Sequence, residues 1–293
     1  GFSEIVKYKN THPVVLDWIQ AFNIEEGDNA ADSLLKQLKK FSPNADSYEE
    51  KEKEIASMYK SQVFPSNLLL EFYQHDLVRF INFAQRNKLK ISSGNREELQ
   101  KEEASITQHI VIDAQSLIVL SYFECLDALK PIDHLHVNYG SVITIQNYYL
   151  SSGLTCIFKL LRWLEASTNI TFVMDGFIDE DNTMVKVLSR NFVVCCNIAR
   201  ENAIPQLYSD LDARICASTP ELGCFTGNSF ISIPAICNYF GKLDPSGRDQ
   251  MLYRLLKGCT FVSFSASTIV EVINKNGNNV SNEIMSPFLI CKS

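Results

Sequence analysis

A run of apolar residues that ends in an aspartate constrains the fold of this chain more than any other feature. Residues 110–112 (Ile, Val, Ile) lead directly into Asp113, and an apolar stretch of helical character, residues 116–129, follows at once. This pattern is typical of a buried strand in an α/β protein, where the acid lies at the carboxyl edge of the sheet. It therefore predicts a polar site at that edge.

A second strand-like segment, residues 206–209, is also followed by acids, namely Asp210 and Asp212. If this strand end meets that of Asp113, the three carboxylates form a cluster suited to a hard divalent cation such as Mg²⁺ or Mn²⁺. The alternative is structural, because an aspartate after a strand commonly caps the helix that follows. The sequence leaves both interpretations open.

The chain changes in character near residue 106. Residues 1–105 contain no cysteine and show helical spacing of apolar positions in residues 12–22, 31–41, 47–59 and 67–86. The polar stretch 92–104 is the candidate linker. Beyond it, strand-like and helical runs alternate, which indicates a mostly parallel sheet covered by helices on both faces. We expect an all-helical region at 1–105, resembling the edge of a helical-repeat array, and a three-layer α/β/α domain at 106–293.

The predicted elements of the second region follow from this alternation. Strands are predicted at residues 110–112, 135–139, 170–174, 206–209 and 260–264, and helices at residues 116–128, 143–166, 184–202, 212–218, 231–240 and 248–257, with a short one from Ser267.

Charge and cysteine content narrow the class of protein. The formal net charge is −7, and nucleic-acid-coating domains usually carry a basic surplus. No apolar run reaches the ~20 residues of a membrane span. The nine cysteines form no CxxC pair, and no histidine follows His136, so we expect reduced thiols in a cytoplasmic protein and no structural zinc site. Because the first residue is Gly1, we expect the chain to be part of a longer protein.

Several catalytic motifs are missing from the sequence. It contains no GxGxxG and no GxxxxGK[ST], which argues against dinucleotide binding and P-loop phosphate chemistry. It also contains no GxSxG elbow, the turn that presents a nucleophilic serine. The acids at the strand ends are therefore the strongest candidates for chemistry.

The order of three segments resembles a PIN domain. These are the strand that ends in Asp113, the helix end at residues 198–202 (Ile-Ala-Arg-Glu-Asn), and residues 204–214 (Ile-Pro-Gln-Leu-Tyr-Ser-Asp-Leu-Asp-Ala-Arg). Over residues 106–275 the chain is similar to the PIN-like domains that end large bacterial proteins with tetratricopeptide-type helices. The resemblance implies a three-layer α/β fold and Mg²⁺- or Mn²⁺-dependent cleavage of RNA by four clustered acids.

The resemblance assigns roles to individual residues. The first acid of the family corresponds to Asp113, with Ser116 as the nearby hydroxyl, and the fourth corresponds to Asp210, with Asp212 beside it. On this basis Asp113 and Asp210 are the predicted metal ligands, and Asp212 joins them as a catalytic candidate. Ser116, together with Arg200 and Arg214, is predicted to contact the nucleic acid.

Two of the four acid positions carry no carboxylate. The second falls within residues 144–147 (Thr-Ile-Gln-Asn), and the third falls at Asn191 or Phe192. The loss of two negative charges should weaken the binding of a divalent cation severely. Asp175, which ends the predicted strand at 170–174, either joins the cluster or stabilises the turn before Gly176.

Three hypotheses on function follow. The leading one is a PIN-like domain with an eroded acidic site, weak or lost nuclease activity, and a binding or regulatory role in a longer protein. The second is an active Mg²⁺- or Mn²⁺-dependent endoribonuclease that uses Asp113, Asp210 and Asp212. The third is a protein-interaction scaffold with no nucleic-acid role. The candidate partners are RNA, other proteins, other domains of the same chain and, from the resemblance, a second copy.

Overall fold

The computed structural model describes residues 45–61, 66, 76–87, 89, 91–92, 94, 98–179, 183–219, 225, 227–258, 260–261, 266–277, 281 and 284–285. The chain divides into two compact units, Gly1–Ile55 and Ala56–Ser293. The predicted helices at 12–22 and 31–41 lie outside the described residues. The predicted boundary between residues 105 and 106 stays a prediction.

The described elements alternate between helices and short strands. In chain order they are α1 (Ala45–Ser61), α2 (Leu77–Arg86), β1 (Ile91–Ser92), α3 (Leu99–Ala104), β2 (His109–Ile112), α4 (Ala114–Tyr122), a 3₁₀ helix (Leu126–Leu129), β3 (His134–Asn138), α5 (Tyr139–Ser152), α6 (Thr155–Ala166), β4 (Ile170–Val173), α7 (Thr183–Leu188), α8 (Arg190–Asn202), β5 (Gln206–Tyr208), α9 (Leu211–Ser218), β6 (Phe230–Ser232), α10 (Ile233–Phe240), α11 (Pro245–Lys257), β7 (Thr260–Phe261) and α12 (Ala266–Lys275).

Five of these strands form one all-parallel sheet in the order β4-β3-β2-β5-β6. The chain adds β3 and β4 on one side of β2 and then returns to add β5 and β6 on the other. The strand order therefore reverses between β2 and β5, where Ile112 pairs with Leu207. In open α/β sheets, this reversal opens a crevice beyond the carboxyl ends of the two strands. The predicted α/β class with a parallel sheet is confirmed, and the arrangement is compatible with three α/β/α layers.

The apolar strands place the centre of the sheet in the core. Ile110, Val111 and Ile112 of β2 are all fully buried, which explains the absence of polar alternation along this strand. On one face, Val111 packs against Val194, Cys195, Ile198 and Ala199 of α8. The acids that follow β2 and β5 are held at the sheet edge by this packing.

The structure differs from the sequence-based prediction in several places. The region 1–105, expected to be all-helical, contains strand β1, which pairs with β7 in a separate two-stranded parallel sheet. The predicted helix 184–202 is broken between α7 and α8 at Ser189, whose φ is 75°. The helical run 143–166 is split at Gly153, whose φ of 62° places it in the left-handed region and ends α5. Strand β6 was missed, because three buried residues are too few to show a period and they run directly into α10. The candidate linker at 92–104 contains α3, whose Glu102 is buried.

The state of the cysteines and the character of the helices bear on the predictions of reduced thiols and of no membrane span. Six cysteines lie in the described part of the chain, all are free, and five of them are buried. Among the helices that the structure describes, none combines the length and the apolar character that a membrane crossing requires.

Candidate functional site

Asp113 and Asp210 both lie at the carboxyl edge of the sheet, each directly before a helix. Asp113 follows β2 and is the N-cap of α4, and Asp210 follows β5 and is the N-cap of α9. The two strands are neighbours at the point where the strand order reverses. The sequence therefore predicted correctly that both acids stand at this edge, and the capping interpretation of both is confirmed.

Asp113 is buried, with only 3% of its surface exposed. Its Oδ1 accepts a hydrogen bond from the backbone N–H of Ser116 at 2.8 Å, the geometry of a helix cap. Burial raises the pKa of Asp113, and the hydrogen bonds from Ser116 oppose that rise. Ser116 itself is fully buried inside the first turn of α4. It therefore presents no surface to a nucleic acid.

Asp210 is engaged on both carboxylate oxygens. Its Oδ1 accepts from the backbone N–H of Asp212 at 3.0 Å, and its Oδ2 accepts from the backbone N–H of Ser66 at 2.6 Å. The hydroxyl of Ser66 accepts a 2.7 Å hydrogen bond from Gln115 Nε2 of α4. Ser66 thus bridges the two helices that follow β2 and β5.

The pKa of Asp210 is shifted because its carboxylate is buried. Burial, with a contribution from the neighbouring charge of Asp212, raises the pKa of Asp210 to about 6, against an ordinary value of 3.8. The hydrogen bonds from Ser66 act in the opposite direction. Tyr59 of α1 is close enough for Asp210 and Asp212, after its own burial, to raise the pKa of its phenol. The edge of the sheet at Asp210 is therefore covered by residues that precede the predicted α/β domain.

Asp175 is the acid that the sequence left undecided, and it lies in a polar cluster beyond β3 and β4. Its Oδ1 accepts from Asn138 Nδ2 at 2.8 Å and from the backbone N–H of Gly140 at 3.1 Å. Its Oδ2 forms an ion pair with the guanidinium of Arg190. Burial alone would raise the pKa of Asp175, but the hydrogen bonds from Arg190, Gly140 and Asn138 lower it overall.

The two segments that the resemblance leaves without a carboxylate, residues 144–147 and 191–192, contact each other through one residue of each. Asn191 Nδ2 donates to Thr144 Oγ1 at 2.7 Å, which joins α8 to α5. Both adjoin the Asp175 cluster, since a Cβ added to Gly140 would lie 2.5 Å from Asp175 Oδ2 and 2.9 Å from Asn191 Oδ1. A side chain at position 140 would therefore have to displace the Asp175 carboxylate and the Asn191 amide.

The two arginines that were predicted to contact nucleic acid differ in their exposure to solvent. Arg214 forms an ion pair with Glu98, with Nη2 at 2.7 Å from Oε2, and both side chains are largely shielded. Arg200 is exposed on α8, where it donates to Asn197 Oδ1 at 3.0 Å and lies 5.9 Å from the ring centre of Phe225. Arg200 therefore keeps access to a ligand, whereas the charge of Arg214 is compensated internally.

A cavity of about 300 Å³ opens beside Arg200. Its wall is mostly apolar and includes Phe177, Met184, Val193 and Phe225. It lies along α8, so it is not formed by the acids at the strand ends.

Glu102 joins α3 to the sheet, and no sequence pattern predicted this role. Its Oε1 accepts from the Tyr208 hydroxyl at 2.7 Å, and its Oε2 accepts from the backbone N–H of Ser232 at 3.2 Å. Both donors lie at the carboxyl ends of β5 and β6. Glu102 stands in a polar, charged stretch, and nothing in its local sequence distinguishes it from a solvent-facing glutamate.

The residues at this edge do not fit a hard divalent cation. Within the part of the chain that the structure describes, no group of three or more His, Cys, Asp or Glu is arranged to hold a metal ion. Asp113 and Asp210 are instead bonded to backbone N–H groups, and Asp175 is bonded to Arg190. No known protein-family model, curated protein or solved structure matches this chain. The resemblance to PIN domains therefore stays a prediction.

Proposed function

We propose that the chain is a PIN-like module of the metal-dependent ribonuclease superfamily in which the acidic site has become structural. In this proposal nuclease activity is weak or lost, and the module binds or regulates within a longer protein. The observation that carries the proposal is the state of Asp210, whose two carboxylate oxygens each accept a backbone N–H, from Ser66 and from Asp212.

The energetics of these hydrogen bonds oppose metal binding. A hydrogen bond to a charged group contributes about 1.5–3 kcal/mol. A cation bound at Asp210 Oδ2 would have to share an oxygen that already accepts the buried Ser66 N–H, which weakens its attraction for the cation. Asp175 already has a cationic partner in Arg190. The negative charge at this edge is therefore balanced by groups of the protein.

The role of a protein-interaction scaffold is supported by exposed apolar side chains on two neighbouring elements. Helix α5 (Tyr139–Ser152) contains no charged residue, and its Ile143 and Leu150 are exposed. The edge strand β4 and the segment after it expose Phe172, Met174 and Phe177. Contiguous apolar surface on a folded domain commonly marks a protein–protein contact. This surface supports a binding role for the module, with a protein or another domain of the same chain as its partner.

Calorimetry with Mn²⁺ tests the proposal directly. The full chain is titrated with Mn²⁺ beside the Asp113→Asn variant, and both are incubated with single-stranded RNA and Mn²⁺. We expect no saturable heat at millimolar Mn²⁺ and no cleavage by either protein. Tight binding that is lost in Asp113→Asn, together with cleavage by the unsubstituted chain, would instead establish an active endoribonuclease.

A further inference from the structure

Three of the five histidines of this chain lie side by side on strands β2 and β3. His109 begins β2 and His134 begins β3, and the two are partners in the parallel register. His136 lies two residues after His134, so its side chain is on the same face of the sheet. All three stand at the amino end of the sheet, whereas Asp113, Asp210 and Asp175 follow its carboxyl ends.

Two ring nitrogens in this group are close together. His109 Nδ1 lies 3.2 Å from His136 Nε2. The His134 ring stacks on the His109 ring, with centroids 4.4 Å apart and planes inclined by 19°. His109 Nδ1 is thus directed at His136, and the stacked His134 is not one of the two facing nitrogen partners.

The imidazoles are accessible because the covering helix reaches only part of this face. Helix α8 covers Val111 and Asn138, nearer the carboxyl ends of the strands, and both are fully buried. His109 and His134 are exposed and His136 is half-buried. Thr171, the register partner of His136 on β4, is also exposed. A ligand can therefore reach the histidines from solvent.

We propose that His109 Nδ1 and His136 Nε2 form a two-imidazole site for a divalent late transition metal of the Zn²⁺, Ni²⁺ or Cu²⁺ class. Two nitrogens bound at about 2.0–2.1 Å to a tetrahedral ion are about 3.3 Å apart, close to the separation found here. Neutral imidazole is a preferred ligand of these metals. Because no third His, Cys, Asp or Glu in the described part of the chain is in position, water completes the coordination.

Metal binding at this pair needs a movement of protons and a turn of the rings that directs both nitrogen lone pairs at the same ion. Without metal, one of the two facing nitrogens carries the hydrogen that joins the rings. When both nitrogens bind the ion, that hydrogen moves to the other nitrogen of the same ring, so both imidazoles stay neutral. No redox step and no further reactant are involved.

The test is calorimetric titration of the full chain with Zn²⁺, comparing His109→Ala and His136→Ala with the matched control His134→Ala. We expect one ion to bind, with an affinity that falls at least about ten-fold in each of the first two variants, because even the loss of an outer-sphere partner costs 10–100-fold. The control keeps both ligands, and its affinity should stay within a few-fold of the unsubstituted chain. Co²⁺ titration should show no thiolate charge-transfer band.

Four results would overturn the proposal: no saturable heat at millimolar Zn²⁺, unchanged affinity in both ligand variants, a ten-fold loss in His134→Ala, or a thiolate band with Co²⁺. Circular dichroism verifies the fold of each variant, and His136→Gln replaces His136→Ala if the latter unfolds. Imidazole ¹⁵N spectra of the unsubstituted chain give a readout independent of any variant. Zn²⁺ should shift the ligating nitrogens of two histidines, and no shift would contradict the site.

Discussion

Asn191 donates a hydrogen bond to Thr144, from Nδ2 to Oγ1 over 2.7 Å, and so joins the two segments, residues 144–147 and 191–192, to which the PIN resemblance assigns the second and third acids. The fold thus brings these positions together although neither side chain is charged. A threonine hydroxyl and an asparagine amide satisfy each other by hydrogen bonding, whereas two carboxylates at this distance would repel unless a cation lay between them.

Restoring carboxylates at this contact should create affinity for Mn²⁺. In the double variant Thr144→Glu/Asn191→Asp, two negative charges adjoin Asp175, and hard oxygen ligands favour a divalent cation. We expect calorimetry to show saturable Mn²⁺ binding that the unsubstituted chain lacks. Asn197→Asp, further along α8, is the control, and equal Mn²⁺ binding by the control and the double variant would contradict the prediction.

Asp210 should make stability depend on pH between about 4 and 6. Its folded-state pKa of about 6 lies above its ordinary value of 3.8, so the folded protein holds the proton more tightly than the unfolded chain. The contribution of Asp210 is therefore fully present below about pH 4 and is lost as the pH rises through 6. The loss amounts to about 3 kcal/mol, at ~1.4 kcal/mol per pKa unit.

Urea unfolding at several pH values measures the contribution of Asp210 by comparing the stability of the unsubstituted chain with that of Asp210→Asn. The fall in stability from pH 4 to pH 6 should be smaller in Asp210→Asn than in the unsubstituted chain. Asp127→Asn alters an exposed aspartate and should leave the slope unchanged. Parallel pH profiles for the unsubstituted chain and Asp210→Asn would show that Asp210 does not titrate in this range.

Substitution of Glu102 should lower the free energy of unfolding more than most substitutions outside the apolar core. Alanine at this position leaves the Tyr208 hydroxyl and the Ser232 N–H buried without an acceptor, which we expect to cost about 2–5 kcal/mol of unfolding free energy. Glu103→Ala is the matched control, since Glu103 pairs with the exposed Lys242 and such pairs contribute about 0–1 kcal/mol. Similar urea midpoints for the two variants would contradict the role assigned to Glu102.

Arg190 should control the protonation of Asp175. Replacing Arg190 by methionine removes the ion pair and leaves Asn138 and Gly140 as donors, so the pKa of Asp175 should rise. Carboxyl ¹³C NMR titration measures this pKa directly. Stability at neutral pH should fall by about 1–3 kcal/mol, against less than about 1 kcal/mol for Arg162→Met at an exposed pair. An unchanged pKa of Asp175 in Arg190→Met would contradict this prediction.

The sequence predicted the sheet better than the roles of its acids. Continuous apolar runs made β2 recognisable, and an aspartate after a strand indicated the carboxyl edge, so the positions of Asp113 and Asp210 were predictable. The partner of Asp210, by contrast, is the backbone of Ser66, which lies 144 residues away in sequence. A backbone donor contributed by a distant segment leaves no pattern of side chains from which it can be inferred.

The proximity of His109 and His136 is a second feature that could not be predicted from the sequence. Metal sites are found in sequences by the spacing of ligands within one segment. His109 and His136 are 27 residues apart, and the register of two parallel strands brings them together. Strand register depends on the packing of the whole sheet, so the proximity of these rings becomes visible only in the folded protein.

The hydrogen bond from Ser66 to Asp210 bears on which fragments of this chain can fold. A fragment that begins at residue 106 retains every strand of the five-stranded sheet but lacks the donor to Asp210 Oδ2 and the carboxylate that receives Tyr208 and Ser232. Three buried polar groups would then face solvent or remain unpaired at the ends of β5 and β6. Residues 66 and 102 are therefore part of the same folded unit as the sheet, and protease-resistant fragments of the protein should include both.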